Sequence, residues 1–324
     1  MAKYNFYREL REHMGYVLRK TSGVSKKKLR KSGADPVSTA MKMFFGMPQA
    51  GMTLDAAILA DEEDYIHHGR RVYVPQGKAL VEMLWRSRMD IGMADLTEFP
   101  RGFSVAWPKG CVIDGVELPG CLVWFGKQSD RELVAAMMGK WTGVPTELRP
   151  TGKHISGPEE YGFHLSFGQG SGVDRWYMRV SIPEEWIAEC LKSAEDLDKK
   201  LGRYALPYSV KLTPEEWHKQ YVTVRSVINL MVYATACPDA VLPGWPEGVG
   251  SSPNTKGRDP SLLASPVVKG HQGGSHSSPE PHFRNPHFRR YPMRNGSRKK
   301  GIVFVSGCVV NAGVDPKTVK EVKR

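Results

Sequence analysis

Apolar and polar residues alternate along this chain with two different periods, and the change of period divides it. In residues 4–20, Tyr7, Leu10, Met14, Tyr16 and Val17 recur at near-helical spacing, which predicts a short amphipathic helix. "TSGVSKKKLRKSGADP" breaks that pattern with Gly, Ser and Pro and reads as a basic linker. "DPVSTAMKMFFGMP" reads as a second helix, with Asp35 as its cap and Pro36 at its first position. "TLDAAILADEEDYIHHG" and "KALVEMLWRSRMDIG" predict two more helices, each stopped by glycine. From there short apolar or aromatic runs bounded by Pro and Gly take over. "RGFSVAWPKG" and "ELPGCLVWFGK" predict strands, and "EEYGFHLSFGQG" and "VDRWYMRVSI" predict an antiparallel pair joined at "GQGSG".

Two helices follow. "SIPEEWIAECLKSAEDLDKKLG" has Ser181 as cap, Pro183, Glu184 and Glu185 in its first turn and Gly202 after its end. "LTPEEWHKQYVTVRSVINLMVYATACPD" starts the same way at Thr213 and Pro214. Its stripe of Trp217, Tyr221, Val224, Ile228, Met231 and Val232 predicts a buried helix that ends before Pro238. Helices, then strands, then helices, without regular alternation, predict an α+β fold with a central antiparallel sheet and packed helices. Residues 241–280 are rich in Pro, Gly and Ser and read as a flexible linker. The β-prone run Ile302–Val305 predicts a strand that adds to the sheet of the body. The expected organisation is a basic N-terminal helix and linker (1–34), an α+β body (35–240), a linker (241–280) and a basic C-terminal motif with a closing β strap (281–324).

Composition narrows the class. The chain has 324 residues, 40% hydrophobic and 25% charged, as in a soluble globular protein. No apolar run approaches the roughly 18 residues that span a bilayer, and "MAKYNFYREL" lacks a secretion-signal core, so no membrane partner is expected. The five cysteines are scattered with no CxxC pair, which suggests neither a disulfide framework nor a zinc site. The expectation is a reduced, cytoplasmic protein with no metal or cofactor.

Charge adds a division that hydropathy does not show. The net charge of +12 comprises +8 in residues 1–31, +9 in residues 281–324 and −5 between them. Basic ends on a mildly acidic body point to a polyanion partner, RNA or DNA first. Several smaller signals have plain structural readings. "GQGSG" reads as a hairpin turn rather than a phosphate loop, and His67–His68 as a helix end favoured by the dipole. His154 and His164 near Glu159 and Glu160 form a weak acid–base candidate. Trp85, Trp107, Trp124, Trp176, Trp186 and Trp217 read as core.

The strongest candidate site is "PHFRNPHFRRYPMRNGSRKK", where Pro-His-Phe-Arg is written twice, five residues apart. On an extended chain that spacing puts His282 and His287 out of phase, against a shared metal. Three readings stay open. In a nucleic-acid grip, Phe283, Phe288 and Tyr291 stack on bases. Arg284, Arg289, Arg290, Arg294, Arg298, Lys299 and Lys300 neutralise phosphates beside His282 and His287. In a ribonuclease, His282 and His287 are general acid and base while an arginine stabilises the phosphorane. In a structural strap, the segment only packs on the body, and the protein inhibits a host defence enzyme by binding it.

Three stretches carry a resemblance: "PHFRNPHFRRYPMRNGSRKKGIVFVSGCVVN", "INLMVYATACPDAVL" and "FPRGFSVAWPKGCVIDGVELPGCLVWF". Together they span roughly residues 80–312 and resemble a type V-A anti-CRISPR family of phages and mobile elements, whose members block production of the effector nuclease. The C-terminal motif is the most specific of the three. The resemblance implies a counter-defence protein that acts on a nascent chain and its mRNA, with RNA or the ribosome and the nascent peptide as partners. The basic first 31 residues have no counterpart in it.

Overall fold

The computed structural model describes residues 3–22, 51–89, 99–127, 161–182, 214–250, 253–265, 282–284, 287–291, 301–305, 308–310 and 320–321. The helices are α1 (Leu10–Ser22), α2 (Gly51–His67), α3 (Lys78–Arg86) and α4 (Pro214–Ala236). The strands of the body are β1 (Tyr4–Asn5), β2 (Arg71–Pro75), β3 (Arg88–Met89), β4 (Gly102–Val105), β5 (Trp107–Pro108), β6 (Val112–Ile113), β7 (Val116–Glu117), β8 (Cys121–Lys127), β9 (Tyr161–Gln169), β10 (Trp176–Ile182), β11 (Val241–Pro243) and β12 (Asp259–Leu263). Those of the tail are β13 (His282–Arg284), β14 (His287–Tyr291), β15 (Gly301–Val305), β16 (Cys308–Val310) and β17 (Lys320–Glu321). The helices expected over 35–48 and 183–202, and the linker residues 266–281, lie outside the described residues.

Seven strands form one sheet in the order β10-β9-β8-β4-β2-β12-β11. Its middle strand is β4, and the neighbouring β8 is buried along Cys121–Gly126, so the run "CLVWFG" has no polar alternation. Alternate residues sort to two faces. Phe103, Val105, Val123, Phe125, Phe163, Leu165, Phe167 and Val180 pack with α3 and α4. Leu122 and Tyr177 lie on the other face with Ile58, Leu59 and Tyr65 of α2 and with Tyr7, Leu10 and Met14 of the N-terminal segment. The α+β class holds, as does the antiparallel β9–β10 pair around "GQGSG".

Three expectations are corrected. The sheet is mixed rather than antiparallel, because β2 runs parallel to both β4 and β12. The α3 crossover returns the chain to the end where β2 began, and a strand entered that way is parallel. Residues 241–265 are not linker: β11 and β12 extend the large sheet. Composition hid them because backbone pairing, not apolar burial, holds the segment; only Leu263 of β12 is fully buried. The third helical pattern stops at Arg86 rather than continuing to Gly92. Ser87 turns to extended backbone, its N–H donates to the Leu84 carbonyl at 3.0 Å, its hydroxyl donates to the Met83 carbonyl at 2.8 Å, and β3 begins.

Two close approaches fix neighbouring elements on the sheet, the N-terminal segment at Gly120 and α2 at Gly102. A Cβ on Gly120 would lie 2.2 Å from the Phe6 carbonyl carbon and 2.5 Å from Tyr7 N. One on Gly102 would lie 2.4 Å from Tyr65 N in α2. Backbone meets backbone at both points, and only glycine leaves the space. Among the described residues, no helix is long and apolar enough to cross a membrane.

Candidate nucleic-acid interface

The two Pro-His-Phe-Arg copies lie in two separate three-stranded sheets, β16-β13-β17 and β15-β14-β3. β13 pairs antiparallel with β16 (His282 opposite Val310, Arg284 opposite Cys308), and β14 with β15 (His287 opposite Val305, Tyr291 opposite Gly301). Paired residue numbers sum to the same value in both pairings. Each copy also has a parallel neighbour: β17 beside the first (His282 opposite Lys320) and β3 beside the second (His287 opposite Arg88). Ile302–Val305 thus pairs with the second copy, in a sheet separate from the seven-stranded one.

His282, Phe283 and Arg284 lie on β13, and His287, Phe288, Arg289, Arg290 and Tyr291 on β14. Arg294, Arg298, Lys299 and Lys300 lie outside the described residues, in the nine-residue connection between Tyr291 and Gly301. Of the weaker candidates, His67 ends α2, and His68 Nδ1 hydrogen-bonds the Asp64 carbonyl at 2.7 Å. His164 is buried in β9 with its ring 5.0 Å from Trp124; His154, Glu159 and Glu160 lie outside the described residues. Trp107 and Trp124 are core and Trp85 is half-buried; Trp186 lies outside the described residues, as do the side chains of Trp176 and Trp217.

The other basic end is anchored by a buried charge network. Four consecutive acids of α2 are used. Asp61 accepts from Arg179 of β10 at 2.7 Å, Glu63 pairs with Arg11 at 3.3 Å, and Asp64 accepts from the Trp124 indole at 2.5 Å. Glu62, fully buried, takes the Tyr7 hydroxyl at 2.8 Å, Arg11 Nε at 3.1 Å and the backbone N–H groups of Leu10 and Arg11. It therefore caps the first turn of α1 from another helix. Burial pushes the Glu62 carboxyl up to about 7, against the opposing pull of Arg11, Tyr7 and the Leu10 N–H. Burial, reinforced by Glu62, also raises the Tyr7 hydroxyl well above its ordinary range. Glu9 completes the set: its carboxylate lies 3.2 Å from Arg70 Nε, and Arg70 has the left-handed φ of 54°.

A model of the anti-CRISPR type V subtype A2 family matches residues 38–312. The chain belongs to that family. No curated protein and no solved structure is significantly similar to it. The part shared with the anti-CRISPR family takes in the large sheet, α2 to α4 and β13 to β16, and it leaves out α1 and β17. The buried network thus fastens a segment outside the matched range to Glu62 and Gly120 inside it. Within the family region, sequence reasoning missed β3, hidden as the last turn of a helix. The signal was Ser87, a residue that leaves helix readily, followed by the β-compatible Arg88–Met89.

Proposed function

We propose that this anti-CRISPR family member suppresses production of a host CRISPR effector by engaging the nascent chain and its messenger RNA, with its basic ends on RNA or the ribosome. Family membership supports counter-defence. The observation that most supports RNA contact is the β14–β15 hairpin. Arg289 and Arg290 lie on its arm, the connection after Tyr291 carries Arg294, Arg298, Lys299 and Lys300, and aromatic residues are interleaved. Cations that neutralise phosphates beside rings that stack on bases are the chemistry of single-strand binding.

The test is crosslinking of the protein to RNA in cells, with the Arg284→Ala/Arg289→Ala/Arg290→Ala variant beside the wild type. The expected result is enrichment of one transcript or of ribosomal RNA, lost in the variant. Recovery no greater than background for both proteins overturns the reading.

A further inference from the structure

The parallel pairing of β3 with β14 joins two parts of the chain that are 199 residues apart. It sets Arg88 opposite His287 and Met89 opposite Phe288. Just before β3, Arg86 occupies the last turn of α3 and is exposed. Between them Ser87 is buried and fixes the turn through its bonds to Met83 and Leu84. The stretch Trp85-Arg86-Ser87-Arg88 therefore repeats, on the body, the mixture of aromatic and arginine residues found on the hairpin.

Trp85 is held in place rather than loosely packed. The Arg225 guanidinium lies 4.5 Å from the indole centroid and is itself held by the Tyr221 hydroxyl at 2.9 Å and the Trp85 carbonyl at 3.3 Å. The half-buried indole thus has a fixed orientation with a cation against it. β15 lies against α4, the helix that carries Arg225 and Tyr221, so the hairpin and the turn share one side of the molecule. The single acid of α3 is Glu82, one turn before Arg86, and it leaves the turn cationic.

We infer that the Trp85–Arg88 turn is the body's half of a single-stranded RNA surface whose other half is β14. The inference rests on the RNA reading above and adds Arg86 and Arg88 as phosphate contacts. Arginine interleaved with aromatic residues fits a flexible single strand, whose bases turn out to stack, better than a duplex or an acidic protein.

The experiment measures binding of the full chain to a labelled oligouridine across a salt series, by fluorescence anisotropy. Three variants accompany the wild type: Arg86→Ala/Arg88→Ala, Arg86→Lys/Arg88→Lys and Arg289→Ala/Arg290→Ala. Each phosphate contact on a single strand contributes about 0.7 to the slope of log K against log salt, so loss of both arginines lowers the slope by about 1.4. The expected result is that loss in the alanine pair with an unchanged melting temperature, and recovery of the slope in the lysine pair. An unchanged slope in the alanine pair, with the hairpin pair defective, overturns the inference and leaves the RNA reading standing. A loss that lysine does not restore marks a structural role for the turn and also overturns it. Failure of the wild type to bind oligouridine overturns both.

Discussion

Glu62 is the most demanding test of how the N-terminal segment is held. Alanine there removes an acceptor from the buried Tyr7 hydroxyl, from the first N–H groups of α1 and from Arg11, which is 17% exposed. An orphaned buried donor costs about 1–3 kcal/mol and a lost helix cap about 1 kcal/mol. Arg11 keeps Glu63 at 3.3 Å and Glu9 at 3.8 Å, which points to the lower end. An opposing effect depends on pH. Burial raises the Glu62 carboxyl from 4.5 to about 7, so its ionisation in the folded state is itself costly. A folded-state value above the unfolded one means stability is fully present below about 4.5 and is lost as pH rises through about 7. That interval corresponds to about 3 kcal/mol. The gap between wild type and Glu62→Ala is therefore about 3 kcal/mol at the acid end and closes towards zero above pH 7. Urea unfolding followed by circular dichroism, repeated across this range, reads it directly. A gap below about 1 kcal/mol at the acid end, or one that does not change with pH, refutes the reasoning.

Other sites give sharper single outcomes. Gly120→Ala forces Phe6 and Tyr7 off the body and lowers stability by about 1–3 kcal/mol in thermal melts; Gly77→Ala, with nothing within 4 Å of its new methyl, serves as the near-neutral control. Arg179→Ala leaves Asp61, 2% exposed, without its 2.7 Å partner and costs about 3–5 kcal/mol in urea titration. Burial raises the thiols of Cys111 and Cys237 to about 11 and of Cys121 to about 12. In a Cys190→Ser/Cys308→Ser variant at pH 8, a disulfide reagent therefore reacts only after denaturant is added.

What the sequence made legible was whatever has a strong period. α4 reads from its apolar stripe and ends before Pro238 as its turn chemistry predicts. The β9–β10 hairpin reads from alternating Phe163, Leu165 and Phe167 and the glycines that follow. What stayed hidden lacked a period or borrowed another. β2 is five residues, too short to stand out beside α2 and α3, and missing it meant missing both parallel contacts. β12 carries Pro260 inside a sheet, where proline argues against a strand. The site was legible as a motif and not as a place. Nothing in "PHFRNPHFRRY" names Arg88 as its neighbour, since that pairing spans most of the chain. Nor does "ADEEDY" announce that its acids serve Arg179, Tyr7, Arg11 and Trp124 around the helix; tertiary packing alone decides that.

α1 and the β14–β15 hairpin pack on opposite faces of the large sheet. α1 packs with α2 on the face that carries Leu122 and Tyr177, whereas the hairpin joins β3 and α4 on the face that carries Val123 and Phe125. A single short RNA bound at the hairpin therefore does not reach the anchor of α1 without rounding the sheet. Neutralising Lys26, Lys27 and Lys28, just beyond α1, leaves the anchoring residues 4–14 in place and avoids the unfolding that deletion of the segment would risk. If each end binds RNA independently, the losses of salt slope from these lysines and from Arg289 and Arg290 add on a long RNA, because distant sites without shared partners combine additively. On an oligonucleotide only long enough for one surface, the hairpin pair alone lowers the slope. Losses that fall short of additive on the long RNA, together with a lysine effect on the short one, would mean that both ends feed one site, and the separation of faces would not govern binding.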